Sequence, residues 1–153
     1  MTTKSSSRFA LLKAIVLPLV AAALLLSACA SCPEPEQQLP DGTYTTTVAV
    51  EDMTNIGMPP DRVCENAGTF ALTVAGKEWS MFQTAAPGCV VQNPSWSGTW
   101  KLCGDDATFT DEFQSSYTYR WAFDGTELRF TRVDDVVPHR IVMMTTYPWV
   151  LQK

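Results

Sequence analysis

The chain of 153 residues contains a single histidine, His139, and among Cys32, Cys64, Cys89 and Cys103 neither a Cys-x-x-Cys pair nor a Cys/His cluster. Zinc sites and thioredoxin-type redox centres are built from such groupings, so neither is expected, and no metal or cofactor with them. Positive charge is scarce too, since 11 Lys and Arg face 16 Asp and Glu for a formal net charge of −5. Nucleic-acid binding needs a basic surface, so no nucleic-acid partner is expected. No serine, cysteine or carboxylate forms a catalytic motif with His139. Asp134 or Asp135 could orient its imidazole, but that alone does not make hydrolase or isomerase chemistry, and no enzyme is expected. Long apolar runs are also missing: the one present, from Ala14 to Leu26, is interrupted by Pro18 and too short for a comfortable membrane span.

What surrounds that run has its own logic. Lys4, Arg8 and Lys13 precede it, and Leu26-Ser27-Ala28-Cys29 follows it, the order of a signal peptide over residues 1–28. The four-residue ending resembles the bacterial lipobox. The resemblance implies that the Cys29 thiol receives diacylglycerol, that cleavage makes Cys29 the mature N-terminus, and that palmitate-type acyl chains join it. One chain holds a protein only marginally, whereas two or three give lasting attachment. The expected location is the bacterial cell envelope, lipid-anchored and facing outside the cytoplasm. All 16 acidic residues but only eight of the 11 basic ones follow Cys29, so the mature protein carries −8.

Export permits disulfides among the remaining cysteines, Cys32, Cys64, Cys89 and Cys103, which allow three pairings. Cys89 with Cys103, flanking one short stretch, and Cys32 with Cys64, stapling tether to domain, are the favoured pair of bonds. Residues 29–40 are rich in proline and lack periodicity, as an extended tether would be. From residue 41 to 153 the pattern is that of one β domain. Tyr44, Thr46, Val48 and Val50 alternate along a first strand; a short helical insert follows, with Asp52 and Pro59-Pro60-Asp61 as start signals. Further strands are expected over Thr69–Val74, Glu78–Thr84, Trp96–Cys103, Ala107–Phe113, Ser116–Phe123 and Thr126–Val133. Gly76-Lys77 and Asp124-Gly125 mark hairpin turns. Val136–Thr146 reads equally as a short helix or a buried strand, and Pro148 frees Trp149–Leu151 for a last extension.

Parity gives the hairpin around Asp124-Gly125 its faces. Tyr117, Tyr119, Trp121 and Phe123 share one face with Leu128, Phe130 and Arg132, and so aromatic a face belongs inside. Arg132 then stands level with Tyr117 or Tyr119 at the end of an aromatic wall. It either meets a ligand carboxylate there or emerges at the rim, as most arginines do. Trp96, Gly98, Trp100 and Leu102 form a second set along one face of their strand, with Gly98 permitting a bend or close approach.

Several short motifs together resemble the lipocalin-like, or calycin, β-barrel class, and in particular uncharacterised bacterial exported proteins of that shape. They are Gly42-Thr-Tyr44, Glu65-Asn66-Ala67-Gly68-Thr69-Phe70, Gly98-Thr99-Trp100, Tyr119-Arg120-Trp121-Ala122-Phe123-Asp124-Gly125, Val133-Asp134-Asp135, Arg140 and Tyr147-Pro148-Trp149. The resemblance implies an all-β, antiparallel up-and-down barrel of about eight strands that binds a small hydrophobic or amphipathic ligand at its mouth. Trp79, Tyr117, Tyr119, Trp121 and Arg132 are the residues expected to line that cavity. The alternative is a filled barrel acting as a structural or inhibitory module on another envelope protein, through the Ala85–Pro94 loop and the Glu51–Gly68 insert. The Gly-x-Trp of this chain lies on a middle strand, where lipocalins carry it on the first.

Overall fold

Period-two alternation carried by Thr, Val and aromatic residues becomes eight strands in the computed structural model, which describes Cys32, Pro33 and residues 39–153. The expected signal peptide and the Cys29 motif lie outside the described residues. In chain order the elements are β1 (Gly42–Val48), α1 (Val50–Asn55), α2 (Pro60–Val63), β2 (Gly68–Ala75), β3 (Glu78–Ala85), β4 (Ser95–Cys103), β5 (Asp106–Asp111), β6 (Ser116–Phe123), β7 (Glu127–Asp134), α3 (Pro138–Thr145) and β8 (Trp149–Leu151). Each strand pairs antiparallel with the next, and β8 returns to β1 to close an up-and-down barrel. The expected all-β barrel with a helical insert after the first strand is what forms.

Registers follow the parity of the sequence. Phe70, Leu72 and Val74 stand opposite Gln83, Met81 and Trp79 across the two-residue turn at Gly76-Lys77. Phe123, Trp121 and Tyr119 stand opposite Leu128, Phe130 and Arg132. The apolar set is buried, while threonines on the outer face share cross-strand hydrogen bonds, Thr43 with Thr73 and Thr47 with Thr69, each at 3.0 Å. Gly98 is required for closure: a Cβ there would lie 2.0 Å from the carbonyl oxygen of Thr110 and 2.9 Å from the Trp79 indole nitrogen. Only glycine lets β4 approach β5 and the Trp79 ring so closely.

In an up-and-down barrel the connections alternate between two poles. At one, the Trp100 indole donates to the Gly76 carbonyl at 2.9 Å, the Gly76 N–H donates to the Asp41 carboxylate at 2.8 Å, and the Tyr44 hydroxyl donates to the Pro40 carbonyl at 2.7 Å. Leu39 is buried there, and the Gly104 N–H donates to the Pro33 carbonyl at 2.8 Å. This pole is closed. The segment expected to be an extended tether is therefore fastened to the barrel at Pro33 and again at Leu39–Asp41.

Helices gather at the other pole. Asp52 acts three residues into α1, its carboxylate accepting the Ala49 N–H at 2.8 Å, and Pro60 opens α2, where its missing N–H costs nothing. The ambiguous segment becomes α3, with Pro138 in its first turn. A helix answers a packing need here. The three residues of β8 pair only with Glu127–Leu128 and Tyr44–Thr45, so the upper parts of β7 and β1 have no strand between them. Packed against both strands, α3 buries Met144, whose carbonyl accepts the indole N–H of the fully buried Trp149 at 3.3 Å. Among the described residues no helix is long and apolar enough to cross a membrane.

Cys64 is bonded to Cys89, their Cα atoms 5.0 Å apart, and Cys32 and Cys103 are disulfide-bonded too. The expected pairings of Cys89 with Cys103 and Cys32 with Cys64 are thereby overturned. Their neighbourhood in sequence was misleading because Cys89 lies in the loop before β4 and Cys103 ends that strand. The nine residues of β4 run roughly 26 Å along the strand, far beyond the roughly 7 Å that a disulfide tolerates between Cα atoms.

Candidate functional site

Inside the barrel the aromatic residues do not fill both ends equally. Phe109 lies near the middle, stacked on Trp100 with centroids 6.0 Å apart and on Tyr117 at 5.7 Å, and meeting Trp79 and Phe130 edge-on at 5.9 and 5.8 Å. Each such pair contributes about 0.5–1.5 kcal/mol beyond the area it buries. Above Phe109 the packing opens into a cavity of roughly 310 Å3. Its apolar wall is Phe70, Trp79, Met81, Trp96, Tyr117 and Met143. Its mouth is ringed by Arg62 of α2 with Glu65 and Asn66 after it, Val91–Asn93 of the β3–β4 loop, Asp111 at the end of β5 with Phe113 in the turn that follows, and His139 and Arg140 of α3. The Cys64–Cys89 bond ties two of these segments, the end of α2 and the β3–β4 loop, to each other.

Of the residues expected to line a site, Trp79 and Tyr117 do so. Tyr119 and Trp121 face inward but are buried away from the cavity in surrounding packing. Arg132 is a correction. It pairs with Tyr119 as parity requires, yet its side chain is exposed and takes no part in the wall. A register shift directly beyond it, where Thr118 pairs with Asp134, turns the last residues of β7 to solvent.

The cation at the aromatic wall is Arg140. Its guanidinium carbon sits 4.0 Å from the Tyr117 ring centroid, which extends the stack of Trp100, Phe109 and Tyr117 by a cation–π contact. Asp135 holds it in place: Arg140 Nε donates to one carboxylate oxygen at 2.6 Å and Nη2 to the other at 2.8 Å. The same carboxylate accepts the Tyr119 hydroxyl and, at 2.9 Å, the Val137 N–H two residues on, which shapes the turn into α3. The Asp135 side chain is 0% exposed and that of Arg140 20%. A buried carboxylate with this many donors is satisfied, so the pair's worth lies in fixing Arg140. Burial works to raise the Asp135 pKa, but the bonds from Arg140, Tyr119 and Val137 outweigh it and hold the carboxyl below its usual range. Burial pushes the hydroxyls of Tyr119 and Tyr117 well above the ordinary tyrosine value, and the Asp135 bond adds to this at Tyr119.

Two of a guanidinium's five N–H donors are taken by Asp135, and the others belong to a side chain that lines the cavity, with its counter-charge behind it. The other charges at the mouth are differently engaged: Asp111 accepts the N–H groups of Phe113 and Ser115, and Glu65 lies 3.6 Å from Arg62. His139 is half-buried, and burial followed by the nearby charges of Arg140 and Arg62 lowers its pKa, favouring the neutral ring. No hydrogen bond joins it to Asp134 or Asp135 among the described residues, and no group of three or more His, Cys, Asp or Glu there is placed to hold a metal. Trp96, Phe70, Met81 and Arg140 are cavity residues that the reading of the chain did not single out as ligand contacts. The signal for Arg140 was present as Asp135 five residues before it, across a proline that starts a helix.

No family model, no curated protein and no solved structure matches the chain.

Proposed function

We propose that this protein binds one small amphipathic molecule in the mouth of its barrel and that it does so outside the cytoplasm, held to a membrane through lipid on Cys29. The observation that carries the binding half is the union of an aromatic cavity with one oriented guanidinium at its wall. A volume of roughly 310 Å3 is at the small end of the 300–1,000 Å3 range of small-molecule sites. Apolar walls of Phe70, Trp79, Met81 and Trp96 suit a short hydrocarbon chain or a ring, and Arg140 suits a carboxylate or other anionic end. The resemblance to lipocalin-like barrels supports binding over catalysis, and the Leu-Ser-Ala-Cys order supports the anchor. Tryptophan fluorescence titrated with decanoate tests the reading: a saturable change that weakens in Arg140→Gln is expected. Unchanged emission and melting temperature with decanoate and with apolar dyes would reject it.

A second reading has one observation in its favour. Val90, Phe113 and Val136 stand 78%, 77% and 80% exposed on three loops of the same pole, as a surface meeting another envelope protein would present. Crosslinking from Phe113 in the native envelope tests it, with recovery of the bait alone as the negative result.

A further inference from the structure

The chain enters the barrel at its closed pole, and does so soon after the cysteine that carries the lipid. Pro33, held at the β4–β5 turn by the Gly104 N–H at 2.8 Å, follows Cys29 by only four residues. An extended chain covers at most about 3.6 Å per residue, so this link reaches about 14 Å. The barrel is longer. Strands of 8 residues such as β3 and β6, rising about 3.3 Å per residue and tilted by about 40°, put the open pole roughly 20 Å beyond the closed one. A barrel with its mouth on the bilayer would need Pro33 roughly 20 Å above the surface, more than the link of about 14 Å can bridge.

We infer that the closed pole faces the membrane bearing the Cys29 lipid and that the cavity opens away from it, so the site loads from the aqueous compartment and not from the anchoring bilayer. This rests on the lipid-anchor reading of Cys29. The decisive contact is the one at Pro33. Were the chain first fastened at Leu39, ten residues from Cys29, the reach would be about 35 Å and either pole could meet the lipid.

The test uses the full lipidated chain in phosphatidylcholine vesicles that contain a nitroxide-labelled phospholipid. A fluorophore is attached through Lys77→Cys at the closed pole or through Phe113→Cys at the mouth, both exposed positions. The Lys77→Cys label should be quenched several-fold more than the Phe113→Cys label. Equal quenching, or stronger quenching at Phe113→Cys, overturns the orientation. A flexible insertion of about twelve Gly and Ser residues after Ala30 should level the two signals, and an unchanged ratio would overturn the argument from tether length. Intact mass separates the two claims: no diacylglycerol on Cys29 overturns the anchor reading itself, whereas lipid present with the Phe113→Cys label quenched overturns the orientation alone.

Discussion

Below Phe109, Trp100 stacks on Phe109 and donates to Gly76, and Tyr44 meets Phe123 edge-on and donates to Pro40, whereas above it Phe70, Trp96 and Tyr117 turn a side to a cavity. Both halves draw on the same residue types and the same strands. What differs is the capping: Leu39–Asp41 lies across the lower end, while loops and helices ring the upper one without filling it. Aromatic content alone therefore does not mark a site; an aromatic wall does so where the element that would cover it stands to one side, as α3 does here.

The sharpest way to break this comparison is to cut the middle of the stack. Phe109→Ala should destabilise by about 3–5 kcal/mol in urea unfolding, since it removes a fully enclosed ring with four aromatic neighbours. Arg140→Met should cost a similar amount, about 3–5 kcal/mol, because Asp135 is left buried and unpaired; adding Asp135→Asn should restore most of it. Full additivity of the two changes would show that the pair does not act as a unit. Removing the upper clasp with Cys64→Ser and Cys89→Ser opens a loop of 25 residues and should cost about 3 kcal/mol, with a larger loss of ligand affinity than Phe109→Ala causes at equal folded fraction.

The pH profile separates the buried network from the rest. Asp135 has a folded pKa below its unfolded one, so its contribution is present above about pH 4 and lost as pH falls through the folded value. Tyr117 and Tyr119 have folded values above the unfolded one, so theirs is present below about pH 10 and lost as pH rises and the unfolded hydroxyls ionise. Melting temperature should form a plateau that falls at both ends, and Tyr119→Phe should shrink the alkaline fall. The smallest effect on stability belongs to the mouth. Trp96→Ala, a half-buried residue, should cost only about 1 kcal/mol yet weaken binding by about tenfold.

How much of this could be read from the chain follows from how local each feature is. Registers such as Val74 with Trp79 and Trp121 with Phe130 depend only on parity across a short turn, and so were legible. The Cys64–Cys89 bond depends on a loop folding back to a helix 25 residues earlier, which spacing does not encode. Arg132 misled because one shifted pair at Thr118 and Asp134 undoes parity at the strand's end. Arg140 was missed as a cavity residue because Ile141-Val142-Met143-Met144 carries no alternation, and without a helix its side chain had no face.

The proposed occupant of the open half is a small amphipathic molecule. Native mass spectrometry of the protein, purified from its own cells, tests this. A further mass of a small anionic amphipath, beyond any lipid on Cys29, is expected, present in Val90→Ser and reduced in Trp96→Ala. A protein that carries nothing, and still carries nothing after incubation with a lipid extract of the same cells, would rule it out.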